Sequence, residues 1–181
     1  MSRTDTAIDF FTFLTLLADV ASVGIIALVV TRHRGRLRAE VADGGLGLAW
    51  LVAAVSMSGS LWFSEVAGFL PCRLCWIQRA CMYPLVVVLA LAMFRRSPFS
   101  AWARRLAFAL SGVGAAVATY HVTLERFPSL ETGACDPKVP CTLVWFERLG
   151  FVTLPYMALS GFVLILTLLV ASSPSRKETL S

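Results

Sequence analysis

Apolar positions run along this chain in five nearly unbroken blocks, roughly Phe10 to Thr31, Leu46 to Ala67, Trp76 to Phe94, Leu106 to Leu124 and Phe151 to Ala171, with the polar residues gathered between them. At 1.5 Å of rise per residue, each block as a helix crosses about 30 Å of hydrocarbon. The pattern predicts five transmembrane helices and no soluble domain, internal repeat or low-complexity segment. Composition agrees: 57% of the residues are hydrophobic and 15% charged, with a mean hydropathy of +0.75, too little polar surface for a soluble domain of this size. The first block differs from a cleaved signal peptide in two ways. Its apolar region is too long, and its arginine cluster follows rather than precedes it.

Charge orients the spans. Arg32, Arg34, Arg36 and Arg38 lie between the first and second, Arg95, Arg96, Arg104 and Arg105 between the third and fourth, and Arg176 and Lys177 in the tail. All ten fall on one side of a five-span chain. Arg3, Arg73, Arg79, Arg126, Lys138 and Arg148 fall on the other, largely offset by Asp5, Asp9, Glu65, Glu125, Glu131, Asp136 and Glu147. The positive-inside rule therefore puts the N-terminus outside and the C-terminus inside. The net charge of +5 fits cytoplasmic loops on anionic lipid, and no basic, aromatic surface points to nucleic acid.

Polar and small residues inside the spans carry their own expectations. Asp19, near mid-span, costs roughly 2.5 to 3.5 kcal/mol on insertion scales and calls for a partner or a cavity; a hydroxyl neighbour at a helix contact meets that need as well as a functional site does. Ser56, Ser58, Gly59 and Ser60, and Ser111, Gly112, Gly114, Ala115 and Ala118, predict close helix approach in a compact bundle rather than a channel lining. Pro84 and Pro155 are expected to kink or loosen their spans.

The chemistry lies in the cysteines. Cys72 and Cys75 form a CxxC where a polar approach meets the third span, and Cys135 and Cys141 form a second pair in a polar loop. A CxxC closes a disulfide within one helical turn, and a helix N-terminus stabilises the thiolate that performs exchange. Both pairs fall on the outer side, where disulfides persist. In a helix beginning near Cys72, Cys75 and Arg79 share a face with Tyr83 one turn deeper, so the guanidinium either supports a Cys75 thiolate or anchors the helix at the interface. The electron acceptor dissolved in lipid is a quinone, whose carbonyl accepts a hydrogen bond from an arginine.

Cys81, about 240° around the helix from Cys75, reads as a packing residue. The loop pair encloses five residues, two of them Pro137 and Pro140. So short a closure stabilises by at most about 2 to 3 kcal/mol, which favours an exposed, exchanging disulfide over a structural clip. His121, near the outer end of the fourth span, suits either a quinone carbonyl and proton transfer or an interhelical hydrogen bond.

Taken together, the PCxLCxxxR sequence before a span, YHxxxE, FP, the loop cysteines and WFxxLGFxxLPxMAL before the last span resemble the DsbB family of membrane thiol:quinone oxidoreductases. The short loop pair, Cys75-Trp76-Ile77-Gln78-Arg79 and Met82-Tyr83-Pro84 are similar to its BdbC-type branch. The resemblance covers roughly Leu46 to Ala171. It implies an all-α membrane protein, a four-helix bundle to which the first span is additional, in a bacterial cytoplasmic membrane with its cysteines facing the periplasm or exterior. It also implies a bound ubiquinone or menaquinone contacted by Cys75, Arg79 and His121. Cys72 would exchange with the loop pair, Cys135 would receive a DsbA-like thioredoxin-fold partner, and Cys141 would pass electrons to Cys72.

The corresponding division of the chain is 1–45 for the added helix and basic loop, 46–172 for the redox bundle and 173–181 for a cytoplasmic tail. Two departures from long-loop members are the added first span and the closeness of the loop cysteines. A vitamin K epoxide reductase-like enzyme is the nearest alternative, but its loop cysteines precede the CxxC. A non-enzymatic membrane protein binding metal through four thiolates is the alternative of a different class.

Overall fold

The computed structural model describes residues 2–31, 35–93, 99–131, 133, 135–136 and 138–172, with side chains described outside 35–43 and 99–100. Expectations on Arg32, Arg34, Arg95, Arg96, Pro137 and the tail 173–181 fall outside these residues, as do those on the side chains of Arg36 and Arg38. Five helices form: α1 (Arg3–Val30), α2 (Gly35–Glu65), α3 (Arg73–Met93), α4 (Phe99–Arg126) and α5 (Leu154–Ala171), with a 3-10 turn at Pro128–Leu130. No strand forms among the described residues, which carry two isolated β-bridges in the loop before α5. Each helix is long and apolar enough to cross a membrane. The fold is thus the expected all-helical membrane bundle.

Local sequence explains the ends. Ser2 and Asp5 form a capping box at the start of α1, the serine hydroxyl accepting from the Asp5 amide at 3.1 Å and the carboxylate accepting from the Ser2 amide at 3.1 Å. Helix α2 starts well before the apolar block expected from Leu46, because Arg, Leu, Ala and Glu between positions 36 and 42 are good helix formers that extend it beyond the hydrocarbon. At the far end of α5, Arg104 donates to the carbonyls of Ser172 and Leu169 at 3.1 and 3.4 Å, a cation at the negative end of the helix dipole.

Helix α5 is the hub, packing on α1, α2 and α4, while α3 lies between α2 and α4. The core joins Leu85 and Leu89 of α3 to Phe162, Ile165 and Leu169 of α5, with Ala49, Ala53, Ala107 and Ala118 supplying close approach. The small residues act as expected at Gly114, where a Cβ would collide with the buried ring of Phe162. In α2 the expectation holds at Gly59, where a Cβ would collide with the Phe11 ring of α1, while Ser56, Gly59 and Ser60 also line a cavity. Pro84 lies on the exposed side of α3, which continues through it. Pro155 is not interior to its helix; it occupies the first turn of α5, where an amide hydrogen has no intrahelical acceptor to lose. Asp19 accepts from the Tyr156 hydroxyl at 3.1 Å, the hydroxyl neighbour that one reading required.

Gly114→Ala is expected to destabilise the bundle by roughly 1 to 3 kcal/mol through overpacking against Phe162. Gly112→Ala, where a Cβ meets nothing within 4 Å, should be neutral or slightly stabilising, since alanine is the better helix former. Thermal unfolding of both variants in detergent measures the difference.

Candidate active site

Pro71 biases Leu70 away from helix, and α3 then opens on the CxxC. Cys72 stands in the N-cap position: its carbonyl accepts from the Trp76 amide at 3.1 Å and its sulfur from the Cys75 amide at 3.3 Å. The Cys72 and Cys75 sulfurs are 2.8 Å apart as free thiols. Cys135 and Cys141 form a disulfide with a Cα–Cα distance of 5.8 Å. Asp136 shapes this loop, its carboxylate accepting from the Lys138 amide at 2.9 Å and its carbonyl from the Val139 amide at 3.1 Å.

Cys72, Cys135 and Cys141 pack with Leu74 and Leu124 in one buried cluster. An exposed loop disulfide was expected from the polar loop, but Cys135 is only 8% and Cys141 1% exposed. The loop folds its sulfurs inward against α3 and α4, so burial replaces the exposure that the local composition suggested.

His121 joins the two pairs. Its Nε2 is 3.6 Å from the Cys72 sulfur and 3.2 Å from the Cys141 carbonyl, while Nδ1 is 3.3 Å from the Gln78 side-chain nitrogen. With the Gln78 amide donating to Nδ1, the proton sits on Nε2, which is shared between the carbonyl and the sulfur. Cys72, just outside the α3 span, is pulled well below the ordinary thiol range. The hydrogen bond from Cys75 is the largest cause and the one from His121 another, together outweighing burial, which pushes it up. Gln78 was missed in the sequence; its signal was a lone amide, one turn from Cys75, on a largely apolar helix.

A cavity of about 440 Å³ lies on the other side of the CxxC, among α1, α2, α3 and α5. Cys75, Gln78, Arg79 and Tyr83 reach it from α3, whereas Cys72 and His121 are not among its lining residues. The expected grouping of Cys75, Arg79 and His121 around one ligand is therefore not what the structure brings together. Cys75 and Arg79 share the cavity, and His121 sits behind them between the cysteine pairs. Arg79 donates from Nε to the Ser60 hydroxyl and from Nη2 to the Ser60 carbonyl, both at 2.9 Å. Its guanidinium also lies 5.3 Å from the centroid of the Trp76 ring. The charge thus reaches Cys75 through space, with its hydrogen bonds directed to Ser60.

Tyr83 borders the cavity one turn deeper, but its hydroxyl is buried without a hydrogen-bond partner among the described residues. An apolar chamber with a cation on one wall fits a flat, apolar molecule bearing carbonyl oxygens. Phe63, Phe69 and Trp145 roof the chamber, with centroids 5.8 Å apart for the first stacked pair and 4.9 Å for the second. Cys81 is 6% exposed in the core, a packing residue as expected. The four-thiolate metal site has no counterpart, because the loop pair is joined by a disulfide; Cys72, Cys75 and His121 alone bring ligand atoms within 4.8 Å of one another among the described residues.

Comparison with known proteins places this arrangement. The family model for disulfide bond formation protein DsbB matches residues 43–139. A probable disulfide formation protein of Oceanobacillus iheyensis is 36% identical over 145 residues, 75% of this chain and 94% of that protein. Disulfide bond formation protein C of Bacillus subtilis is 34% identical over 131 residues, 72% of this chain and 93% of the relative. A probable disulfide formation protein C of Halalkalibacterium halodurans is 39% identical over 123 residues, 65% and 84% of the two chains. No solved structure gave a significant match. With its five membrane-spanning helices and paired cysteines, the chain belongs to the DsbB family of disulfide bond formation proteins.

Proposed function

We propose that this protein is a dithiol:quinone oxidoreductase that reoxidises a DsbA-like thioredoxin-fold partner outside the cytoplasm. One observation carries the reading: the CxxC stands between a disulfide on one side and an apolar, cation-bearing cavity on the other. The redox unit is the bundle 46–172, in a bacterial cytoplasmic membrane with the cysteines on the outer face, as the arginine asymmetry supports.

Exchange begins when a partner thiolate attacks Cys135, the more exposed residue of the loop pair. The Cys135–Cys141 bond breaks, a mixed disulfide forms and Cys141 leaves as the thiolate. Cys141 then attacks Cys72 of an oxidised CxxC, releasing the Cys75 thiolate. The partner's second thiol displaces Cys135, and Cys135 in turn displaces Cys72. The loop disulfide is restored, the partner is oxidised, and two electrons reside on the Cys72 and Cys75 dithiol. His121 donates to the Cys72 sulfur and favours it as the leaving group. A ubiquinone or menaquinone, held by Arg79 beside Cys75, would accept the two electrons and two protons released as the CxxC disulfide closes.

In purified protein with reduced partner and quinone, loss of quinone absorbance should depend on the partner and vanish in Cys72→Ser; reduction that persists in this variant would sink the reading. Cys141→Ser, mixed with a partner lacking its own resolving cysteine, should accumulate a reductant-sensitive complex through Cys135. A complex running through Cys72, or forming equally well without Cys135, would reverse the direction of electron flow.

Arg79→Met keeps an apolar stem but removes a charge-assisted contact, so the apparent KM for quinone should rise about tenfold or more. Unchanged kinetics would leave Arg79 as an anchor between Ser60 and Trp76.

A further inference from the structure

Helix α1 lies outside the family match at 43–139, yet it is held in the bundle by polar contacts that a simple membrane anchor does not need. Arg148, in the loop before α5, meets Asp9 at 3.0 Å and Asp5 at 3.4 Å. Tyr156 of α5 meets Asp19 at 3.1 Å, a third fastening one turn from mid-helix. These contacts press α1 on α5, and α1 touches α2 only sparingly. Phe11 closes the outer end of the gap, its ring packed where a Cβ on Gly59 would collide and tilted against Phe63 with centroids 5.4 Å apart.

The gap that remains is the cavity. From α1 its wall runs from Phe11 through Thr15, Ala18 and Ala21 to Ile25, and Leu48 of α2 and Leu168 of α5 line it too. Fourteen residues from Phe11 to Ile25 correspond to about 21 Å along the helix. That length far exceeds a single aromatic ring. Arg79, Ser60 and Ser64 lie at the end near Cys75, Thr15, Ser56 and Ser160 add hydroxyl side chains along the walls, and the far end, at Ala21, Ile25, Leu48 and Leu168, is apolar.

We propose that α1 is the outer wall of a channel for the isoprenoid tail of the quinone, and that Ala18 and Ala21 set its bore. This inference rests on the quinone reading above. Protein interiors are close-packed, so an elongated apolar gap edged by small side chains favours an apolar chain that fills it. A lipid acyl chain has the same chemistry, and the length dependence of quinone binding separates the two: only the isoprenoid reading links the tail to the affinity of the ring.

The test is binding, not turnover. Quenching of tryptophan fluorescence, with Trp145 in the cavity wall, gives the Kd of a long-tailed and a tail-less quinone for the full chain in detergent at fixed micelle concentration. Comparing each quinone between variant and wild type cancels its partitioning into micelles. Ala21→Phe should weaken the long-tailed quinone about tenfold or more while leaving the tail-less one within about twofold, and Ala21→Leu should give a smaller loss of the same kind. Val20→Phe, on a residue 70% exposed on the outer side of α1, should change neither.

If wild type binds neither quinone, the quinone reading fails and this inference with it. If wild type binds both and the Ala21 variants change the two equally or not at all, a lipid chain fills the gap and the channel is overturned alone. Should Ala21→Phe fail to fold, seen as loss of both ligands, Ala21→Leu decides between these outcomes.

Discussion

A single imidazole shared between two sulfur pairs is the interaction on which the redox end of this bundle depends. His121 comes from α4, Cys72 and Gln78 from α3, and Cys141 from the loop before α5, so three separate segments meet on one ring. A buried polar group left without partners costs about 1 to 3 kcal/mol, and each of these partners removes part of that cost. Gln78 fixes the tautomer, the Cys141 carbonyl holds the loop, and the Cys72 sulfur receives the remaining share of the Nε2 proton. The loop disulfide is buried for the same reason: its backbone is tied to a histidine that is itself 2% exposed.

Helix geometry divides the labour around that ring. Cys72 precedes the first turn of α3 and faces the loop pair, whereas Cys75 faces the cavity with Arg79 and Tyr83 below it at intervals of four residues. A dithiol whose two sulfurs lie 2.8 Å apart, one beside the loop pair and the other beside the cavity, can take electrons from one side and deliver them to the other without large motion of the helix. The bundle supports this by rigid packing: Phe162 lies against Gly114, and Gly161 lets Ser56 and Met82 approach behind the cavity.

Much of this was legible in the chain. Five apolar blocks became five helices because backbone groups in hydrocarbon must bond within their own segment. The CxxC was readable as a helix N-terminus because proline and a polar approach precede it. The extra reach of α2 past Leu46 was hidden by its polar residues, which form helix in water as readily as apolar ones do in lipid. Contacts between helices were not legible: no spacing rule links Arg79 to Ser60, Asp19 to Tyr156 or Arg148 to Asp5 and Asp9. His121 was recognised as a polar residue of the redox end, but which neighbour it faced depended on how α4 is rotated against α3. The buried state of the loop disulfide was misjudged because composition reports the loop's solubility and not where its sulfurs point.

The central claim is that Cys75 and His121 together hold Cys72 as a thiolate at the meeting of the two pairs. A pH titration of thiolate ultraviolet absorbance, with the CxxC reduced and Cys72→Ser as the subtraction, tests it directly. Because the Cys72 thiol is depressed in the folded protein, its thiolate should persist as pH falls well below the ordinary thiol range, and His121→Ala should shift the midpoint upward. A midpoint in the ordinary thiol range for wild type, or one unmoved by His121→Ala, would contradict the account.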